Sequence, residues 1–309
     1  MNAAERRGLW IGFVGVAIFA LTLPMTRLAV GTPDAPLMSG VFIALGRAAV
    51  AGALSAALLL ATRAPLPRRQ DLLPLAITAA GVVFGFPLFT SVAMRYVEAV
   101  HASVIIGVLP LATALVGALL HRQRPSPGFW LCAALGSVLV GVFAVLKSGQ
   151  GVELHWADLL LLAAIACAAV GYAYGARLSQ HMRADHVICW ALVLSLPLTV
   201  PLTVASWPRA PLPASAWWAF GYVAVFSMWI GFFAWYRGLA LGGTVRVSQV
   251  QLVQPFMSML FAVPLLGERL DVQTVGFALA VIATVFAGKK MPVRPAVPGP
   301  RLTPAVEPR

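Results

Sequence analysis

Ten times along the chain a stretch of roughly 20 residues passes with almost no charge, which is the length a helix needs to cross the hydrocarbon core of a bilayer. These stretches lie at about 9–28, 36–62, 72–94, 100–120, 128–146, 157–177, 187–207, 215–236, 246–266 and 272–288. They predict an all-α polytopic membrane protein with ten transmembrane helices. Composition agrees: 60% of the 309 residues are hydrophobic and only 10% are charged, against roughly 25% charged in a soluble domain. The first stretch is too long for a removed signal peptide and lacks its small-residue cleavage site, so it reads as a retained helix. Residues 291–309, MPVRPAVPGPRLTPAVEPR, hold six prolines and no periodicity, and are expected to form a disordered tail.

The basic residues set the expected orientation. With the N-terminus inside, sixteen of the 22 Lys and Arg face the cytoplasm, Arg27, Arg95, Lys147, Arg209 and Arg269 face out, and Arg47 falls within the second span. The positive-inside rule then places both termini in the cytoplasm, as an even number of crossings requires. The net charge of +12 follows from this bias and suits anionic lipid. It calls for no nucleic-acid partner. Cys132, Cys167 and Cys189 sit in or at the ends of apolar spans without ligand spacing, and read as small packing residues. No metal or cofactor is expected.

Superposing Pro110 on Pro255 sets an offset of 145 at which Val100 meets Val245, Ser103 meets Ser248, Val108 meets Val253, Leu115 meets Leu260 and Arg124 meets Arg269. The chain thus divides into five-helix halves, 1–147 and 148–290. Five is odd, so the second half must be inverted relative to the first, the plan of many secondary transporters. Charge follows the inversion: HRQRPSP (121–127) is basic and falls inside, whereas its counterpart LGERLD (266–271) carries Glu268 and Asp271 and falls outside.

The run PLLGERLDVQTVGFALAVIATVFAG (264–288), preceded by VQLVQPF, resembles the C-terminal signature of EamA-type permeases of the drug/metabolite transporter superfamily, and 107–142 is similar in weaker form. Gln123 stands where the second half has Glu268. The resemblance implies ten helices in two inverted repeats, a bacterial inner-membrane location, and export of amino acids or related metabolites.

Polar residues at membrane depth are where a binding site is to be sought. SQVQLVQPF (248–256) plants Gln249, Gln251 and Gln254 in an apolar span. Pro255 cannot donate to the carbonyl of Gln251, and Pro110 cannot donate to that of Ile106, so both helices are expected to bend and free a carbonyl. Ser248, Gln251 and Pro255 share a helix face with Gln254 beside it. Gln249 points elsewhere and reads as packing. Arg47 can receive a substrate carboxylate bidentately or bond neighbouring carbonyls. Tyr172 lies deep enough to join a site, whereas Trp235 and Tyr236 fall near an expected interface and read as an aromatic belt. The candidate substrate-binding residues are therefore Gln251, Gln254, Ser248, Ser103, Tyr172 and Arg47. Glu98 and His101 lie at the outer end of the fourth span as a solvated helix end or a proton relay. Small-residue stripes at Ala133, Ser137 and Gly141 and at Gly276, Ala280, Thr284 and Gly288 mark the fifth and tenth helices as scaffold or as a homodimer surface.

These features favour a permease working by alternating access on a small metabolite. All ten carboxylates lie in loops, tail or span ends, which favours a zwitterionic, neutral or anionic substrate. A multidrug efflux pump is the alternative, but one for cations wants a buried acid. An intramembrane enzyme needs a nucleophile with its base or a metal cluster, yet the five histidines lie near span ends with no HExxH. A signalling scaffold would need larger loops.

Overall fold

A computed structural model describes residues 3–97, 102, 105–148, 156–266 and 272–295. Among these, ten helical rods follow one another. The first is α1 (Ala3–Ala20) and α2 (Thr22–Val30), and the second is α3 (Gly40–Ala61). The third joins α4 (Arg69–Thr78), a π-helical segment (Ala79–Gly85) and α5 (Phe86–Ala93). The fourth and fifth are α6 (Leu109–Leu120) and α7 (Pro127–Ser148), joined through β1 (Gln123–Pro125). The sixth and seventh are α8 (Trp156–Leu178) and α9 (Ala184–Ala205), and the eighth is α10 (Ala214–Tyr222), a second π segment (Val223–Ile230) and α11 (Gly231–Gly242). The ninth is α12 (Thr244–Val247), a 3₁₀ turn (Ser248–Val253) and α13 (Gln254–Leu266), and the tenth is α14 (Val272–Lys290), followed by β2 (Val293–Pro295). Six rods are long and apolar enough to cross a membrane, and Leu109–Leu120, Pro127–Phe143 and Val275–Gly288 are shorter apolar helices. The chain is an all-α polytopic membrane protein.

The rods pack in a fixed pattern: first on eighth, second on seventh, fifth on tenth, third and fourth on sixth, fourth on ninth, and first on ninth. Exchanging each rod with the one five places away leaves these pairings unchanged. The two π segments also recur at this spacing, beginning 144 and ending 145 positions apart (79 to 223, 85 to 230). A π turn widens the helix by one residue and re-aims the side chains beyond it, so both rods are reshaped at corresponding depths.

Glycine sets the tightest seam. A Cβ on Gly238 of α11 would lie 2.6 Å from the Cα of Gly12 in α1, and Gly8 meets Gly242 in the same way. With i, i+4 spacing on both helices, the two backbones touch, a contact the stripes picked out from sequence did not include. Those stripes in part face each other: Ala133, Ser137 and Thr284 are buried, and the fifth and tenth rods pack together, while Gly141 and Gly276 have nothing within 4 Å.

The start of the expected disordered tail is ordered. β2 pairs antiparallel with β1, Arg124 opposite Arg294. Prolines at both strand ends do not prevent this, because a two-stranded edge leaves the N–H side of each proline free of ladder bonds. The Ser126 N–H adds a bond to the Pro292 carbonyl at 3.0 Å. Residues 296–309, like Glu98, His101, Ser103, Glu268 and Asp271, lie outside the described residues.

Candidate functional site

Two prolines break the rods that carry the site. Pro24 cannot donate to the carbonyl of Ala20, and the first rod is interrupted at Leu21. The ninth rod then clasps the break: Ser258 Oγ donates to the Ala20 carbonyl and Gln254 Nε2 to the Phe19 carbonyl at 3.4 Å. From the eighth rod, Tyr222 Oη donates to the Ile18 carbonyl at 2.8 Å. Three consecutive carbonyls of the first rod are thus satisfied by side chains of the second half.

In the ninth rod the carbonyl expected to be freed by Pro255 is taken up. Residues Ser248–Val253 wind as 3₁₀, and the Gln254 N–H bonds the Gln251 carbonyl, so that carbonyl is not free. Pro255 stands in the first turn of α13, where a missing N–H costs nothing. Pro110 likewise opens α6, and its own carbonyl accepts from Gln249 Nε2 at 3.3 Å. Gln249 therefore ties the ninth rod to the fourth.

Arg47, Tyr172, Gln251 and Gln254 come together around a cavity of about 20 Å³, with Thr22, Ser227, Val82, Ile106 and Leu109 also on its walls. That is room for little more than one water. Arg47 is 2% exposed. Its Nη2 donates to Met228 Sδ at 3.5 Å, and Nε has no partner. Among the described residues no Asp or Glu lines the cavity. Gln251 is buried with its Oε1 unpartnered, and Tyr172 faces the same cavity as Gln251 and Arg47. The Tyr172 ring packs edge-on against Trp235, centroids 5.4 Å apart. The cavity thus holds an uncompensated cation, a free amide oxygen and hydroxyl groups inside an aromatic shell.

Other expected residues fall elsewhere. Ser248 is fully buried with its hydroxyl on the Val245 carbonyl, off the cavity wall: in the 3₁₀ turn it shares a face with Gln251 but lies one turn, about 6 Å, further along the rod. Trp235 and Tyr236 are not an interfacial belt: both are fully buried, and Tyr236 Oη donates to the Gly171 carbonyl at 3.2 Å. Gly175 makes room for that ring. Thr22 and Ser227, hydrogen-bonded at 2.8 Å, were missed; a lone serine in the apolar run VAVFSMWI was the available signal.

At the end of the molecule bearing Glu5, a vestibule of about 500 Å³ opens between His121, Gln123, Gln180, Thr244 and Arg246. Arg246 Nη1 pairs with Glu5 Oε2 at 3.0 Å. Burial and the nearby Arg177 hold the His121 imidazole below the usual histidine range.

A family model described as the EamA-like transporter family matches residues 6–147 and 155–287. An uncharacterized transporter of Bacillus subtilis (strain 168), YdeK, is 46% identical over 286 residues, covering 91% of this chain and 96% of its own. A second from the same organism, the uncharacterized transporter YyaM, is 22% identical over 213 residues, 66% of this chain and 69% of its own. A solved structure described only as a crystal structure of a protein superposes with a TM-score of 0.72 at 18% identity, covering 92% of this chain and 98% of that one.

Proposed function

The chain belongs to the EamA-like transporter family, and from that premise we propose that it exports a small metabolite bearing a carboxylate, an amino acid or a related zwitterion, across the bacterial inner membrane by alternating access. Arg47 carries this reading. A buried guanidinium without an anionic partner is costly, on the order of 3–5 kcal/mol when a partner is removed, and a substrate carboxylate is the counter-ion that would relieve it. The unpartnered Oε1 of Gln251 supplies the acceptor for a substrate ammonium. In this reading 1–147 and 148–290 are inverted halves that rock about the cavity, both termini are cytoplasmic, and the vestibule beside Glu5 is the cytoplasmic approach. A multidrug pump for cations is disfavoured by the same arginine, which repels them.

The test is counterflow in proteoliposomes with labelled amino acids and organic acids, with and without a pH gradient. Replacing Arg47 by Gln should leave insertion intact and weaken carboxylate uptake about 10- to 150-fold, the value of a charged hydrogen bond worth about 1.5–3 kcal/mol. Arg47→Lys should fall between, because lysine keeps charge but not the planar fork. Undiminished uptake by Arg47→Gln would refute the assignment.

A further inference from the structure

Three pairs of cavity-wall residues stand 145 positions apart: Val82 with Ser227, Ile106 with Gln251, and Leu109 with Gln254. Both members of every pair line the same cavity. In each pair the first-half member is apolar and the second-half member is polar. At two further wall positions the order is reversed: Thr22, which bonds Ser227, has Cys167 as its counterpart beside the first π segment, and Arg47 has the fully buried Leu192, neither counterpart being on the cavity wall. A backbone whose halves correspond therefore encloses a space whose two sides differ in chemistry.

Resting on the reading of Arg47 as the carboxylate receptor, we propose that Val82, Ile106 and Leu109 form a selectivity wall, and that the substrate is a small carboxylate carrying an uncharged, apolar side group that lies against it. The head group is held by Arg47 and Gln251, and Ser227 and Gln254 complete the polar side. All three wall residues are buried and offer no hydrogen bond from their side chains. A polar side group turned toward them loses its water and gains no partner, whereas an apolar one loses only hydration that opposes binding. Turning the substrate over is no remedy, because that would place its carboxylate on the apolar wall and leave Arg47 unpaired.

Thermal stabilisation of the purified full-length chain in detergent tests this, since a ligand that binds the folded state raises its melting temperature by an amount that grows with the logarithm of its concentration relative to Kd. The probes are matched pairs of similar size, valine against threonine and leucine against asparagine, together with the methyl esters of valine and leucine. The expected half-saturating concentration is about 10- to 100-fold lower for valine and leucine than for their polar partners, the range an apolar pocket achieves with near-isosteres. In Ile106→Gln, which gives the first half the residue of the second, asparagine and threonine should gain and leucine should lose. Equal stabilisation by polar and apolar acids, or an unchanged order in Ile106→Gln, overturns the wall while leaving the carboxylate reading intact. Esters that match the acids overturn the role of Arg47 and leave the wall standing. Stabilisation by none of the acids or esters overturns both. Ile106→Val, which removes one methylene and adds no polar group, controls for packing and should keep the wild-type order.

Discussion

Pro24 and Ser258 should be energetically coupled although they belong to opposite halves. Pro24 withholds the N–H that would otherwise bond the Ala20 carbonyl, and Ser258 Oγ supplies a donor in its place while also bonding the Gln254 carbonyl at 3.0 Å. Removing the hydroxyl in Ser258→Ala loses an interhelical bond worth about 0.6 kcal/mol on average and up to about 1.7, and leaves a buried carbonyl unpaired, for a combined loss of about 1–2 kcal/mol. Pro24→Ala restores the missing N–H, so the same serine substitution made in that background should cost only a few tenths. The cycle Ser258→Ala, Pro24→Ala and the double variant, followed by unfolding in mixed micelles of increasing SDS fraction, should give a coupling energy near 1 kcal/mol. Equal losses from Ser258→Ala in both backgrounds would refute the account of the break at Leu21 as a proline defect repaired in trans.

Two further outcomes are expected. Gly238→Ala places a methyl 2.6 Å from the Cα of Gly12 and should destabilise by about 1–3 kcal/mol through overpacking, whereas Gly141→Ala, with nothing within 4 Å, should be neutral or stabilising in the same unfolding assay. For His121, the folded protein resists a proton that the unfolded chain accepts near 6.5. Protons therefore favour unfolding, so stability should fall as pH drops below about 6.5 and level off once the folded imidazole is also charged. Melting between pH 7 and 5 should show a shallower decline for His121→Gln, and an identical slope would exclude the histidine as its source.

The rods were legible because each is a long apolar run, and Arg47, Tyr172, Gln251 and Gln254 stood out because polar groups are rare at that depth. Their convergence depends on which rods touch, and periodicity says nothing about that. Local winding was hidden for a different reason. The 3₁₀ turn at Ser248–Val253 and the two π segments differ from an α-helix by less than one residue per turn, too little to disturb a hydrophobic run, yet the 3₁₀ winding is enough to close the Gln251 carbonyl with the Gln254 N–H. The break at Pro24 in the first rod was missed, and the donors that repair it come from residues more than 200 positions away. The strand at Val293–Pro295 was masked by the prolines around it.

The seam between α1 and α11 also bears on how the chain is made. Gly12 and Gly238, whose backbones touch, are separated by 226 positions. At roughly 5–20 residues per second of synthesis, the first helix spends about 11–45 s in the bilayer before its glycine neighbour leaves the ribosome. Throughout that interval its groove must be filled by acyl chains or by an insertion factor, and the arriving eighth rod has to displace that occupant. The first rod, made before the eighth, therefore waits for the partner that closes its glycine seam.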